Sequence, residues 1–122
     1  DVFTADELVK NTDALLKIPG SFSPVCLESF AHFMREHGTF NKAAQFYAQA
    51  QEQWSRSKNS SVSFYVRHCL IYRAEMLIRA GDLKGARLSL DQLKEAAKTP
   101  GDHTKHAILF KLLSPSAPAP AK

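Results

Sequence analysis

The chain has 122 residues and a mass of 13.6 kDa, room for one domain but not for a separate second lobe. At 44% hydrophobic it reads as globular, and no run nears the roughly 20 apolar residues that a membrane helix requires, because His68, Arg73 and Lys111 break the longest apolar stretches. The net charge of +4 is unevenly held: residues 1–61 carry 6 basic and 7 acidic side chains, residues 62–122 carry 10 and 5.

The first residue is Asp1 and no basic-then-apolar leader follows it, which reads as a piece of a longer protein. Thr4 and Glu7 have the spacing of a capping box, with Phe3 placed to staple onto Leu8, so a short first helix is expected from about Ala5 until Ile18-Pro19-Gly20 stops it. Ser23 then serves as an N-cap with Pro24 in the first helical position, where a missing N–H costs nothing, and Phe22 is placed to staple onto Leu27. That second helix runs to His37, and Gly38 closes it in the left-handed conformation. A third, from about Asn41 to Arg56, places Ala43, Phe46, Tyr47, Ala50 and Trp54 on one stripe before a polar turn at Ser57–Ser61. The fourth, Val62 to Ala80, is apolar nearly all round, the signature of a middle helix covered on more than one side. Gly81-Asp82 breaks the chain again. A fifth helix carries Ala86, Leu90, Leu93 and Ala97 to a stop at Thr99-Pro100-Gly101, and a sixth, capped by Asp102, offers Ala107, Leu109, Phe110, Leu112 and Leu113 as an apolar side to seal the open end. The Pro/Ala-rich residues 114–122 read as a tail or linker after a single domain spanning 1–113.

One pattern occurs twice. Around Gly38 stand Leu27, Ala31, Met34, Phe40, Ala43, Tyr47 and Ala50; at the same offsets around Gly81 stand Leu70, Ala74, Leu77, Leu83, Ala86, Leu90 and Leu93, a period of 43 residues. A fixed period of a few tens of residues marks stacked helix pairs, in which no unit buries its apolar face alone. Cys26 and Cys69 each lie twelve residues before their glycine. Equivalent places on packed helices are about 10 Å apart and a disulfide needs about 7 Å or less, so both are expected to be free, buried thiols, compatible with a reducing cytosol.

Over Pro24 to Pro100 these columns resemble the tetratricopeptide repeat: Ala31 and Ala74 as the small residues of each first helix, Ala43 and Ala86 as those of each second, Gly38 and Gly81 as the turn, and Tyr47 with Leu90 and Ala50 with Leu93 in the large and small positions that follow. Leu93 departs from the small-residue pattern, no proline closes the unit near Ser57, and the period exceeds the usual 34 or so by about two helical turns, as in a long-helix variant. The resemblance implies an all-α, right-handed stack of helical hairpins (an α-α superhelix) with about six helices. It also implies a concave face lined by the first helix of each pair, here Val25, Glu28, His32, Arg35 and Glu36, then His68, Ile71, Glu75, Ile78 and Arg79, where such proteins hold an extended peptide. The same residues read as a solvated face of mixed charge. A clamp for a partner's terminal carboxylate is not expected, because Glu28, His32, Ile71 and Glu75 stand where convergent cations would be needed.

Arg67, Arg73, Arg79, Lys84, Arg87, Lys94 and Lys98 are placed to meet acidic peptides or phosphates, but they alternate with acids and read more simply as solubilising charges. His103 and His106 have the only spacing suited to a shared metal, with no further ligand beyond Asp102. His68 and Cys69 are adjacent and so point to different sides of a helix, a poor base and nucleophile. Phe46, Tyr47 and Trp54 are candidates for an aromatic anchor for a partner, but their common stripe reads more simply as core packing, Trp54 partly exposed. With no phosphate loop, catalytic carboxylate pair or serine elbow, the chain is expected to be a cytoplasmic, non-enzymatic module without cofactor, binding a protein or peptide through its concave face. The alternatives are self-association or packing within a larger protein, and, ranked lower, nucleic-acid binding through the basic second half.

Overall fold

The computed structural model describes residues 22–57 and 63–113, together with Glu7, Lys10, Asn11, Ala14 and Lys17. Five α-helices and no strand occur among them: α1 (Pro24–Glu36), α2 (Phe40–Ser55), α3 (Ser63–Ala80), α4 (Leu83–Ala96) and α5 (Pro100–Leu113). Of the expected helix from Ala5, the described Glu7, Lys10 and Ala14 are helical and Asn11 N–H reaches the Glu7 carbonyl at 2.9 Å; its other residues, most of the Ser57–Ser61 turn and the tail 114–122 lie outside the described residues. Each helix packs on the next along the chain, and α5 also returns onto α3, so α3 is covered by three neighbours.

The two glycine turns are built alike. Gly38 and Gly81 adopt φ of 75° and 86°, and in each turn the residue after the glycine bonds back to the same carbonyl, Thr39 N–H to Met34 and Asp82 N–H to Leu77, both at 2.9 Å. Each glycine N–H reaches Arg35 or Ile78 at 3.1 Å. This pair of bonds satisfies carbonyls that a helix end leaves bare, and it requires a left-handed residue. Ser23 Oγ accepts from Cys26 N–H at 3.1 Å and Asp82 Oδ1 from Gly85 N–H at 2.9 Å, which caps α1 and α4 at their starts.

The core repeats with the turns. Leu27 and Leu70, Ala31 and Ala74, Met34 and Leu77, Ala43 and Ala86, Tyr47 and Leu90, Ala50 and Leu93 are all at most 9% exposed. The seventh column differs: Phe40 is half-buried beneath the Arg79 guanidinium, and Leu83 is 41% exposed. Five of these buried positions are alanines at zero exposure, so the backbones approach closely, while the fully buried Phe46 and Tyr47 contribute about 2–3 kcal/mol each by removal from water. Phe22 packs against the core and meets Phe30 edge-on, and Phe30 meets Phe46 in the same way, one turn deeper along α1.

Three further expectations are corrected. The sixth predicted helix begins at Pro100, not after it: Thr99 Oγ1 accepts from Asp102 N–H at 3.0 Å, and Asp102 Oδ2 accepts from the N–H groups of Thr99 (3.1 Å) and Lys98 (3.0 Å). Asp102 is thus the third-position partner in a reciprocal cap, and Pro100 occupies the position that needs no N–H. Arg67, grouped above with the solubilising charges, is 7% exposed. Its Nε lies 2.8 Å from Asp102 Oδ2, a charge contact not aligned as a hydrogen bond, and Nη1 donates to Ser63 Oγ at 3.1 Å. Of the two free cysteines only Cys69 is buried; Cys26 is half-buried, being in the first turn of α1 at the edge of the described stack.

Helix α3 starts one turn further before its glycine than α1 does, and α2 runs two residues longer than α4. The added turn Ser63–Val66 brings Phe64 and Tyr65, and the end of α2 brings Trp54.

Candidate functional site

Helices α1, α3 and α5 line one side of the stack, where two clefts open. The first, about 300 Å³, is bounded by Arg35 of α1, by His68, Ile71, Tyr72 and Glu75 of α3, and by Lys105, Ile108 and Leu109 of α5. The second, about 280 Å³, is bounded by Val25, Glu28, Ser29 and His32 of α1, with Trp54 of α2 and Tyr65 of α3.

In the first cleft the Glu75 carboxylate is already matched by two guanidiniums. Glu75 accepts Arg79 at 3.1 Å and Arg35 at 3.6 Å, and each guanidinium also lies over a ring, Arg35 over Tyr72 and Arg79 over Phe40, at 5.3 Å from the centroids. A cation on an aromatic face gains about 0.5–1 kcal/mol at exposed sites, so these pairs hold their side chains in place more than they stabilise the fold.

Between the clefts runs a connected set of rings. Tyr47 and Tyr72 stack with centroids 5.1 Å apart, His32 meets both edge-on at 5.4 and 5.3 Å, and His68 meets Tyr72 at 4.6 Å and lies on Phe64 at 5.6 Å. Burial, helped by Tyr72, holds the Tyr47 phenol well above its usual range, so it keeps its proton, and its hydroxyl is hydrogen-bonded with His32 Nδ1. His68 is held below the usual imidazole value by burial, with Glu28 opposing and Lys105 and His32 adding to the effect.

The second cleft centres on a carboxylate. Glu28 Oε2 accepts from the indole N–H of Trp54 at 2.6 Å, and a second hydrogen bond comes from the Cys69 thiol. Burial first, then this carboxylate, pushes the Cys69 thiol far up, so it stays a neutral donor and is unsuited to nucleophilic attack. Trp54 in turn stacks on Tyr65, centroids 4.6 Å apart and planes 18° from parallel.

Of the residues expected on this face, Glu28, His32, His68, Ile71, Arg35 and Glu75 border one cleft or the other, and Val25 is 61% exposed beside Glu28. Arg79 reaches the face only through Glu75, Ile78 packs half-buried against the core, and Glu36 is exposed and borders neither cleft. The sequence reading omitted Trp54, Tyr65, Tyr72, Lys105 and Ile108 from the face. Trp54 and Tyr65 come from the turns that lengthen the period, which was the available signal; Lys105 and Ile108 depend on how α5 docks, for which the sequence held none.

A third, wider cleft of about 570 Å³ lies between α2 and α4, bordered mainly by glutamines, with Arg73 half-buried in it and 3.4 Å from Gln51 Oε1. His106 stacks on Phe110 within α5, and among the described residues no three His, Cys, Asp or Glu side chains gather as metal ligands. No helix described is long and apolar enough to cross a membrane. Compared with protein-family models, with curated proteins and with solved structures, the chain matches none.

Proposed function

We propose that the chain is a non-enzymatic interaction module, a tetratricopeptide-like right-handed stack of hairpins that holds a segment of a partner protein along α1, α3 and α5. The observation that carries this reading is the row of two clefts, of about 300 and 280 Å³, both walled by α1 and α3, the two helices that the repeat makes equivalent. A row of side-chain-sized recesses spaced along a rigid helix stack suits a chain whose side chains enter in turn, and rigidity lowers the ordering cost of binding. Ile71 and Ile108 supply apolar surface in the first cleft, and the fixed charges supply selectivity. The repeated turn geometry at Gly38 and Gly81 supports the family assignment that this reading uses.

Selection from a random peptide library on the folded chain tests it. Enriched sequences that lose binding to an Ile71→Asp variant are expected; no enrichment, or binding indifferent to that change, refutes the groove.

A second reading is self-association through α5, favoured by the exposure of Ile108 (56%), Phe110 (41%) and Leu112 (56%) on the last helix. Light scattering behind size-exclusion chromatography separates the two, a stable dimer at micromolar concentration favouring association and a monomer the groove. Nucleic-acid binding ranks last, with Arg67 buried, Arg73 half-buried and Arg79 paired. A titration insensitive to salt would remove it.

A further inference from the structure

From its geometry and charge we infer that the cleft bounded by Glu28, Trp54 and Tyr65 is a receptor for one cationic side chain, an arginine or lysine of the partner segment. This rests on the groove reading above and names the chemistry of one of its pockets.

The charge accounting points there. Glu75, the carboxylate of the first cleft, is matched by two guanidiniums, and both of those lie against it and over the Tyr72 and Phe40 rings. Glu28 has no such match: among the described residues no lysine, arginine or histidine nitrogen lies within 4.0 Å of it. The donors it receives, the Trp54 indole and the Cys69 thiol, are neutral, so they orient the carboxylate without cancelling its charge. His68 feels its field, but burial keeps that ring from taking up a proton to answer it.

Ligand classes separate on this basis. An apolar side chain filling the cleft would strip water from a half-buried carboxylate and give nothing back, and an anion would be repelled. A guanidinium or ammonium restores the missing charge, and Trp54 and Tyr65 beside it add aromatic surface that favours cations. The size agrees, since about 280 Å³ admits one long side chain and not a folded element.

The chain holds a single tryptophan, so the site carries its own reporter. N-acetyl-argininamide and N-acetyl-lysinamide are titrated into the intact chain, with N-acetyl-leucinamide and N-acetyl-glutamine amide as neutral controls. Trp54 fluorescence and the indole N–H resonance are followed. Saturable shifts are expected from the cationic amides in the millimolar range, at least tenfold weaker in Glu28→Gln, which keeps an acceptor for the indole and removes only the charge. Equal response to the leucine amide, an unchanged affinity in Glu28→Gln with unchanged urea stability, or no shift up to about 100 mM overturns the assignment. The library selection distinguishes the levels: enriched peptides that lack arginine and lysine sink this pocket while leaving the groove, whereas no enrichment sinks the groove itself.

Discussion

Removing the Asp102 carboxylate attacks the most deeply buried charge pair among the described residues. The side chains of Arg67 and Asp102 are 9% and 13% exposed, at 2.8 Å, and Asp102 also receives the N–H groups of Lys98 and Thr99. In Asp102→Ala the cap is lost, worth about 1 kcal/mol, and the Arg67 guanidinium is left buried with only Ser63 as a partner; breaking such a pair costs about 3–5 kcal/mol. Because Asp102 keeps some contact with water, the lower end applies, and we expect a loss of about 3 kcal/mol in urea unfolding followed by helical circular dichroism. Arg67→Met leaves a carboxylate that still holds two backbone donors, so the double variant should recover about 2 kcal/mol relative to the sum of the singles. The pH dependence has a definite sign. Burial by itself would raise the Asp102 carboxyl, but the two backbone donors, Arg67 and Thr99 hold it below its ordinary value. Its contribution is therefore complete above the unfolded value of about 4 and fades as pH falls through the lower folded one, and Asp102→Asn should lack that acid limb. A coupling under about 0.5 kcal/mol would refute the claim that this pair docks α5 and with it the wall of the first cleft.

Gly38→Ala and Gly81→Ala should each cost about 1–2 kcal/mol, and similar amounts, because both turns need positive φ and neither has an atom within 4 Å of an added Cβ; a marked inequality in thermal or urea unfolding would show that the turns are not equivalent. Ala74→Trp should cost about 3 kcal/mol or more by overpacking a position with zero exposure, and a barely changed melting temperature would mean that the helices do not meet there. Ser89→Ala should stabilise by up to about 1 kcal/mol, since the buried Ser89 hydroxyl has no partner; destabilisation on urea titration would reveal one. His68 is held neutral by burial, so the unfolded chain takes up the proton first and stability falls as pH drops below about 6.5; His68→Gln should flatten that slope, and an unchanged profile would place the titration elsewhere.

Much of the helical order was legible because its signals are local. Ser23-Pro24 announces a start whatever surrounds it, Gly38 and Gly81 announce stops, and six of the seven apolar columns of the 43-residue period are buried in both repeats. Where reading failed, a second helix decided. Arg67 looks like a surface cation in its own helix and is interior only because Asp102 arrives from α5. Cys26 and Cys69 share one column yet differ in burial, since what covers each depends on the neighbouring helices.

The candidate site divides along the same line. The family resemblance, carried by offsets from the two glycines, put Glu28, His32, Arg35, His68, Ile71 and Glu75 on one expected face, and a helix repeats its faces every 3.6 residues. Which charges remain unanswered is a matter of distances between helices: Glu75 meets two guanidiniums, while Glu28 meets an indole and a thiol contributed by α2 and α3. Periodicity fixes direction around one helix axis. Charge pairing and pocket walls need the relative placement of several helices, and that is set only when the whole stack is packed.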